Sequence, residues 1–141
     1  MIRDCVTFRL NGLVQEVRDI CPTTTLLQWL RRNRRLIGCK EGCGEGDCRA
    51  CTLIVCRLKQ GRVSFRAVNA CILFIPMLEG TSLATIEGIP ALSDGALNPC
   101  QTSLVASHGS QCGFCTPGIV MSMIADRLDP VPESADDLFA G

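Results

Sequence analysis

The chain has 141 residues, of which 47% are apolar and 20% are charged, so it is long enough for one or two small domains and too apolar to be disordered. Equal numbers of basic and acidic residues, 14 of each, give a net charge of zero, which argues against binding to nucleic acid or to an anionic membrane surface. The unusual feature is the presence of 11 cysteines.

Dense cysteine indicates disulfides, bound metal or redox thiols. The segment 1–7 has neither the apolar stretch nor the small-residue cleavage site of a secretory signal. The longest apolar run, residues 70–78, is interrupted by Pro76 and is too short to cross a bilayer. We therefore expect a cytoplasmic protein with no membrane segment, in which clustered cysteines bind metal. A secreted chain whose signal has been removed is the alternative.

The first half of the chain predicts a small α+β unit. Alternating apolar residues on either side of Asn11-Gly12 predict a hairpin over residues 5–18. A helix is expected over residues 23–33, capped by Thr23 or Thr24, with an apolar face of Leu26, Leu27 and Leu30. The glycine- and cysteine-rich residues 37–51 predict a loop, and residues 52–58 and 62–68 predict two strands around a turn.

The second half predicts helices. Asn98 followed by Pro99 is typical of a helix start, with the helix running to about residue 107. A second helix is expected from Thr116, as its cap, with Pro117 in the first turn and with apolar residues Ile119, Val120, Met123 and Ile124. Residues 134–140 could form a third. We therefore predict two domains, over residues 1–86 and 87–141.

Four cysteines have the spacing of a plant-type [2Fe–2S] site. Cys43, Cys48 and Cys51 form a C-x4-C-x2-C run, and Cys71 follows after 19 intervening residues. The glycines of this run permit the positive φ values and close backbone approach that a cluster requires, and exposed amides can donate hydrogen bonds to its sulfurs. A structural zinc site is the alternative, although zinc favours paired C-x2-C elements and only one occurs here.

A second C-x2-C, Cys112 and Cys115, lies where the helix from Thr116 begins. A helix N-terminus favours thiolates or an anionic cluster. By itself this motif fits half a metal site or a thioredoxin-like dithiol, and the dithiol needs a βαβ context that we do not find.

Three segments of the chain resemble the iron–sulfur region of the molybdenum hydroxylases, and most closely that of the xanthine dehydrogenase branch with its bacterial small subunits. The segments are residues 42–48 (GCGEGDC), 68–71 (VNAC) and 108–118 (HGSQCGFCTPG). The resemblance implies a β-grasp, plant-type ferredoxin-like domain followed by a small helical-bundle domain, each holding one [2Fe–2S] cluster. The ferredoxin-like cluster would be bound by Cys43, Cys48, Cys51 and Cys71.

The resemblance also implies a function, namely electron transfer within an oxidoreductase. Electrons would pass from a molybdopterin site through the helical and then the ferredoxin-like cluster to FAD and NAD. Cys112 and Cys115 would be two of the four ligands of the helical cluster, and Gln111 would hydrogen-bond the molybdopterin cofactor. The partners would be a FAD-binding domain or subunit and a molybdopterin-binding subunit, and the chain would not be catalytic alone.

The chain departs from the family pattern in three ways. The family continues beyond a Phe-Ala-Gly like that at residues 139–141 into a Cys-Arg-Cys segment that supplies the other two ligands, so we expect one complete cluster and a half site in this chain. Cys39 replaces a usual Thr and is interpreted as a packed spare thiol rather than a competing ligand. Arg49 replaces a usual Gly and either raises the cluster potential or points to solvent.

Three other interpretations remain open. One is a zinc-stabilised, non-redox interaction module, which visible absorbance and an EPR signal after reduction would exclude. Another is the small subunit of a related aldehyde- or carbon monoxide-oxidising enzyme. A self-standing ferredoxin is disfavoured because it would need neither the helical half nor Gln111.

Overall fold

The structure of the protein is a computed structural model that describes residues 4–129. Within that range the chain forms a mixed α/β fold with one five-stranded sheet and three α-helices. The strands are β1 (Cys5–Leu10), β2 (Leu13–Arg18), β3 (Thr52–Lys59), β4 (Arg62–Asn69) and β5 (Ser82–Ala84). The helices are α1 (Leu26–Arg32), α2 (Pro99–Ala106) and α3 (Thr116–Leu128). The predicted helix over residues 134–140 lies outside the described residues.

Both predicted hairpins are confirmed. The β1–β2 turn places Asn11 and Gly12 at φ values of 50° and 84°, the left-handed pair that a two-residue type I′ turn requires. The β3–β4 turn uses Gln60 and Gly61 in the same way, with φ values of 48° and 77°. Each turn fixes the register of its hairpin, so these strands follow from local sequence alone.

The strand order is β2-β1-β5-β3-β4. The short strand β5 lies between the two hairpins, parallel to β1 and antiparallel to β3. The sequence analysis did not predict this strand. It joins the two hairpins into one sheet and thereby holds the loop that precedes β3 against the rest of the fold.

Helix α1 packs on one face of the sheet. Its N-cap is Thr25, one residue later than predicted, because the Thr25 hydroxyl accepts the Gln28 N–H while the Gln28 side chain accepts the Thr25 N–H. The buried leucines of α1 meet Phe8, and the Phe8 and Trp29 rings pack edge to face with centroids 5.4 Å apart. A fully buried leucine contributes about 1.5–3 kcal/mol, so this core anchors the segment that leads into the cysteine-rich loop.

Helix α3 covers the other face of β3 and β4. Ile54 points into this second core, whereas its neighbours in β3 face α1, so β3 is buried on both sides. The buried face of α3 differs in part from the predicted one: Met121 is buried, whereas Ile119 and Met123 are 43% and 36% exposed. The second core is completed by Ile89, Cys100, Val120, Ile124 and Ala125.

Helix α2 begins where the sequence predicts. Asn98 caps it by accepting the Cys100 N–H at 3.0 Å, and Gln101 closes a capping box. Thr116, in contrast, does not cap α3. Cys115 is the N-cap without a side-chain hydrogen bond, and Thr116 is the first helical residue.

Candidate iron–sulfur centre

The sulfur of Cys43 is surrounded by backbone donors. Its Sγ accepts the N–H groups of Glu45 at 3.4 Å and of Asp47 and Cys48 at 3.3 Å. The Cys43 N–H in turn donates to Cys48 Sγ at 3.3 Å. These donors, led by the N–H groups of Cys48 and Glu45, lower the pKa of the Cys43 thiol to about 6, because a hydrogen bond to the thiolate favours the charged form.

Cys51 and Cys71 form a second, buried pair at the base of the loop. Cys51 immediately precedes β3, Cys71 lies just after β4, and the Ala70 N–H donates to the Cys51 carbonyl at 3.2 Å. The Cys51 thiol and the Gly46 N–H both lie close enough to the Cys71 thiol to influence its ionisation. Burial, followed by the neighbouring Cys51 and weakly by Cys43, raises the pKa of Cys71 to about 11. The four predicted cluster ligands therefore lie close together, as two interacting pairs.

Glycines allow the loop to wrap around these sulfurs. Gly44 and Gly46 have φ values of 72° and 86°, a conformation that glycine adopts without strain. Gly42 is required for a different reason, namely lack of space, because a Cβ at this position would lie 2.7 Å from Cys48 Sγ. The loop conformation thus depends on having no side chain at the point nearest to one of the sulfurs.

Arg49 adopts a left-handed conformation with a φ of 59°. This gives a physical reason why glycine suits the position, since an L-residue is disfavoured there. The Arg49 side chain is exposed, and its carbonyl accepts the Thr52 hydroxyl at 2.6 Å.

Two polar side chains that the sequence analysis missed fasten the loop to the β3–β4 hairpin. The Asn69 amide donates from Nδ2 to the Gly46 carbonyl at 2.6 Å, and the Thr52 hydroxyl contacts both the Arg49 carbonyl and Asn69 Oδ1, the latter at 3.1 Å. Asn69 stands in the segment 68–71 that carries the resemblance, but its position in the sequence does not show what it contacts.

The start of the loop is braced from two sides. Arg31 donates to the carbonyls of Cys39 at 2.9 Å and of Ile37 at 3.2 Å, and Glu87 accepts the Gly38 N–H at 2.6 Å. Cys39 is 1% exposed, and burial raises the pKa of its thiol to about 12. The interpretation of Cys39 as a packed thiol is therefore confirmed.

The second candidate site lies at the N-terminus of α3. Its three predicted residues are exposed: Gln111, Cys112 and Cys115. The loop between the two cysteines turns at Gly113, with a φ of 82°, and is closed by a 2.7 Å hydrogen bond between the Ser110 and Thr116 hydroxyls. The structure thus presents this cysteine pair on a short surface loop.

The two cysteine loops touch each other. A Cβ at Gly42 would lie 3.5 Å from the Phe114 ring, and a Cβ at Gly118 would collide with the Arg49 carbonyl. The N-terminus of α3 therefore packs directly on the loop that carries Cys48 and Cys51, and glycine at residue 118 permits this approach.

The residues fit a binuclear cluster in three respects: four neighbouring thiols, backbone N–H donors directed at sulfur, and glycines where the chain approaches most closely. In residues 4–129, no three His, Cys, Asp or Glu side chains are arranged around a single point as a ready-made site for one metal ion. No helix in this part of the chain is long and apolar enough to cross a membrane.

Comparison with known protein families identifies the class to which this protein belongs. Residues 8–75 match the family described as "2Fe-2S iron-sulfur cluster binding domain", and residues 85–137 match the family described as "[2Fe-2S] binding domain". The chain is therefore a [2Fe–2S] protein with a match to each of two families.

Longer relatives are xanthine dehydrogenases. The chain is 42% identical over 143 residues to xanthine dehydrogenase/oxidase from Gallus gallus, with 98% of this chain and 10% of the relative covered. It is 49% identical over 120 residues to xanthine dehydrogenase from Calliphora vicina, with 84% and 9% covered. The chain thus spans about a tenth of the length of these relatives.

Solved structures of similar fold include two oxidoreductases. Aldehyde oxidoreductase from Desulfovibrio desulfuricans superposes with a TM-score of 0.74 at 33% identity, covering 96% of this chain and 14% of that one. Quinoline 2-oxidoreductase from Pseudomonas putida 86 superposes with a TM-score of 0.68 at 32% identity, covering 95% and 76%. The chain belongs to the molybdenum hydroxylase family and is an electron-transfer [2Fe–2S] module of that family of oxidoreductases.

Proposed function

We propose that this chain carries single electrons from a molybdopterin centre to a FAD centre, both held by partner domains or subunits. The observation that carries the proposal is the grouping of Cys43, Cys48, Cys51 and Cys71, with backbone N–H groups directed at their sulfurs. When bound there, a [2Fe–2S] cluster would take up and release one electron at a time. The protein's own part is to hold the thiolates and to stabilise charge on the sulfurs.

We propose that the second cysteine pair, Cys112 and Cys115, is half of the helical cluster site and that Gln111 faces the molybdopterin cofactor. All three residues are exposed on one loop, which supports contact with a cluster or cofactor outside the described fold. The contact of Gly118 with the Arg49 carbonyl supports a short route between the two sites.

We propose two domains, residues 1–86 and 87–141, the first a β-grasp ferredoxin-like domain and the second a helical-bundle domain. The matches to residues 8–75 and 85–137 support a division in this region. The described part of the second domain packs on the outer face of β3 and β4, so its position is coupled to the sheet that holds the first cysteine site.

We propose a purine as the substrate of the whole enzyme, because the relatives of 41–49% identity are named xanthine dehydrogenase. An aldehyde-oxidising enzyme is the second candidate, supported by the structural likeness to aldehyde oxidoreductase. We also propose a cytoplasmic location, which suits a chain whose 11 cysteines, all among the described residues, form no disulfide.

Anaerobic reconstitution of the full chain tests this function. We expect about two irons per chain, a visible absorption band and an EPR signal after reduction with dithionite. A colourless, EPR-silent chain that binds zinc instead would refute the proposal. About four irons per chain would show that the Cys112 and Cys115 site is completed by other residues.

Single cysteine variants test the ligand assignment. Cys48→Ala should abolish the signal because it removes one of the four thiols. The matched control is Cys5→Ala, whose half-buried thiol lies in β1 and makes a long 3.9 Å contact with the Thr7 hydroxyl. Loss of the signal in the Cys5 variant would show that the assignment is wrong.

A further inference from the structure

The peptide that joins Gly46 to Asp47 lies beside the cysteine sulfurs. The Gly46 N–H, on the preceding peptide, lies near the Cys71 thiol. The N–H of the next peptide, that of Asp47, donates to Cys43 Sγ at 3.3 Å. The orientation of the Gly46–Asp47 peptide therefore decides whether the exposed sulfur of Cys43 receives this hydrogen bond.

The side chain of Asn69 fixes the orientation of that peptide. Asn69 Nδ2 donates to the Gly46 carbonyl at 2.6 Å. In a trans peptide the C=O and the N–H point in opposite directions. A carbonyl held by Asn69 thus turns the N–H of Asp47 toward Cys43.

The orientation of the Asn69 amide follows from chemistry. The Gly46 carbonyl can only accept a hydrogen bond, so the amide nitrogen must face it and Oδ1 must face the Thr52 hydroxyl, 3.1 Å away. Thr52 and Asn69 are partners across the β3–β4 ladder. The contact to the loop is consequently made from a paired position at the end of the β3–β4 ladder.

We infer that Asn69 is a positioning residue that raises the reduction potential of the cluster bound by Cys43, Cys48, Cys51 and Cys71, by holding the Asp47 N–H on the Cys43 sulfur. This inference rests on the proposed function. Hydrogen bonds to cluster sulfurs stabilise the reduced state, which carries one more negative charge than the oxidised state. Losing one such bond makes the cluster harder to reduce.

The test compares two variants of the reconstituted full chain in a dye-mediated redox titration followed by EPR. Asn69→Leu removes the donor without adding a charge and with little change in size. Asn98→Ala is the control, because it removes the carboxamide that caps α2 through the Cys100 N–H, in a different part of the fold from the residue 42–51 loop. We expect a more negative midpoint potential for Asn69→Leu and the wild-type potential for Asn98→Ala, even if both variants melt at a lower temperature.

The possible results separate the inference from the proposed function. If the wild type binds no iron–sulfur cluster, the proposed function fails. If the wild type binds a cluster and Asn69→Leu has an unchanged potential, or if both variants shift equally, only the role of Asn69 fails. Should Asn69→Leu not retain the cluster, Asn69→Ser decides by the same comparison, since it also lacks the amide but is small enough to avoid crowding the loop.

Discussion

Gly42 offers a sharp test of the site, because a single methyl group there would push against a sulfur. A Cβ at Gly42 would lie 2.7 Å from Cys48 Sγ, whereas ordinary contacts begin near 3.4 Å. Cys48 Sγ would therefore have to move by roughly 0.7 Å, well beyond the ±0.2 Å within which metal–ligand distances are expected to fall. We expect Gly42→Ala to lose most of its bound cluster while the hairpins and α1 stay folded.

The matched control is Gly44→Ala, two residues away in the same loop. No atom lies within 4 Å of a Cβ at Gly44, but its φ of 72° makes alanine strained by about 1 kcal/mol. This variant should retain the cluster with a slightly lower stability. Iron content and visible absorbance after reconstitution measure the difference, and circular dichroism checks the fold. A fully loaded Gly42→Ala chain would refute the placement of Cys48 beside Gly42.

Three further experiments have defined outcomes. In urea denaturation of the metal-free chain, Arg49→Gly should raise the free energy of unfolding by about 0.5–1 kcal/mol, because it removes the strain of an arginine held at a left-handed φ of 59°. A lower free energy of unfolding would contradict this strain. Gly118→Ala should lower the free energy of unfolding by about 1–2 kcal/mol, because the clash of its methyl group with the Arg49 carbonyl outweighs the higher helix propensity of alanine. A variant as stable as the wild type would argue against the close packing of α3 on the loop at Arg49. In the metal-free chain, iodoacetamide should modify Cys43 at a rate that rises with pH and is half-maximal near pH 6. The N–H donors, led by those of Cys48 and Glu45, lower the pKa of Cys43 to about 6, and the reactive thiolate forms as the pH rises through that value. Cys39, whose pKa burial raises to about 12, should stay unmodified, and peptide mapping by mass spectrometry checks both cysteines.

Much of the local structure could be predicted because it depends on neighbouring residues. Asn11-Gly12 sets the first hairpin, and Asn98-Pro99 sets the start of α2. The predicted starts of α1 and α3 are each wrong by one residue. Three threonines adjoin at residues 23–25, and the backbone geometry selects Thr25 as the cap. At α3 the cap is Cys115, which has no side-chain hydrogen bond, so no local signal marked it. The assignment of Cys43, Cys48, Cys51 and Cys71 as ligands came from spacing and remains a prediction, to which the structure adds the proximity of their sulfurs.

Elements whose contacts span a few residues, and the spacing of the cysteines, can be read from the amino-acid sequence. Three contacts depend on the folded chain and follow no local pattern: the pairing of β5 with β1, the packing of α3 on the loop at Arg49, and the hydrogen bond from Asn69 to Gly46. Each of these joins residues more than 20 positions apart, through a backbone carbonyl or a strand edge. Any residue type can present such a group, so its partner is known only once the chain has folded.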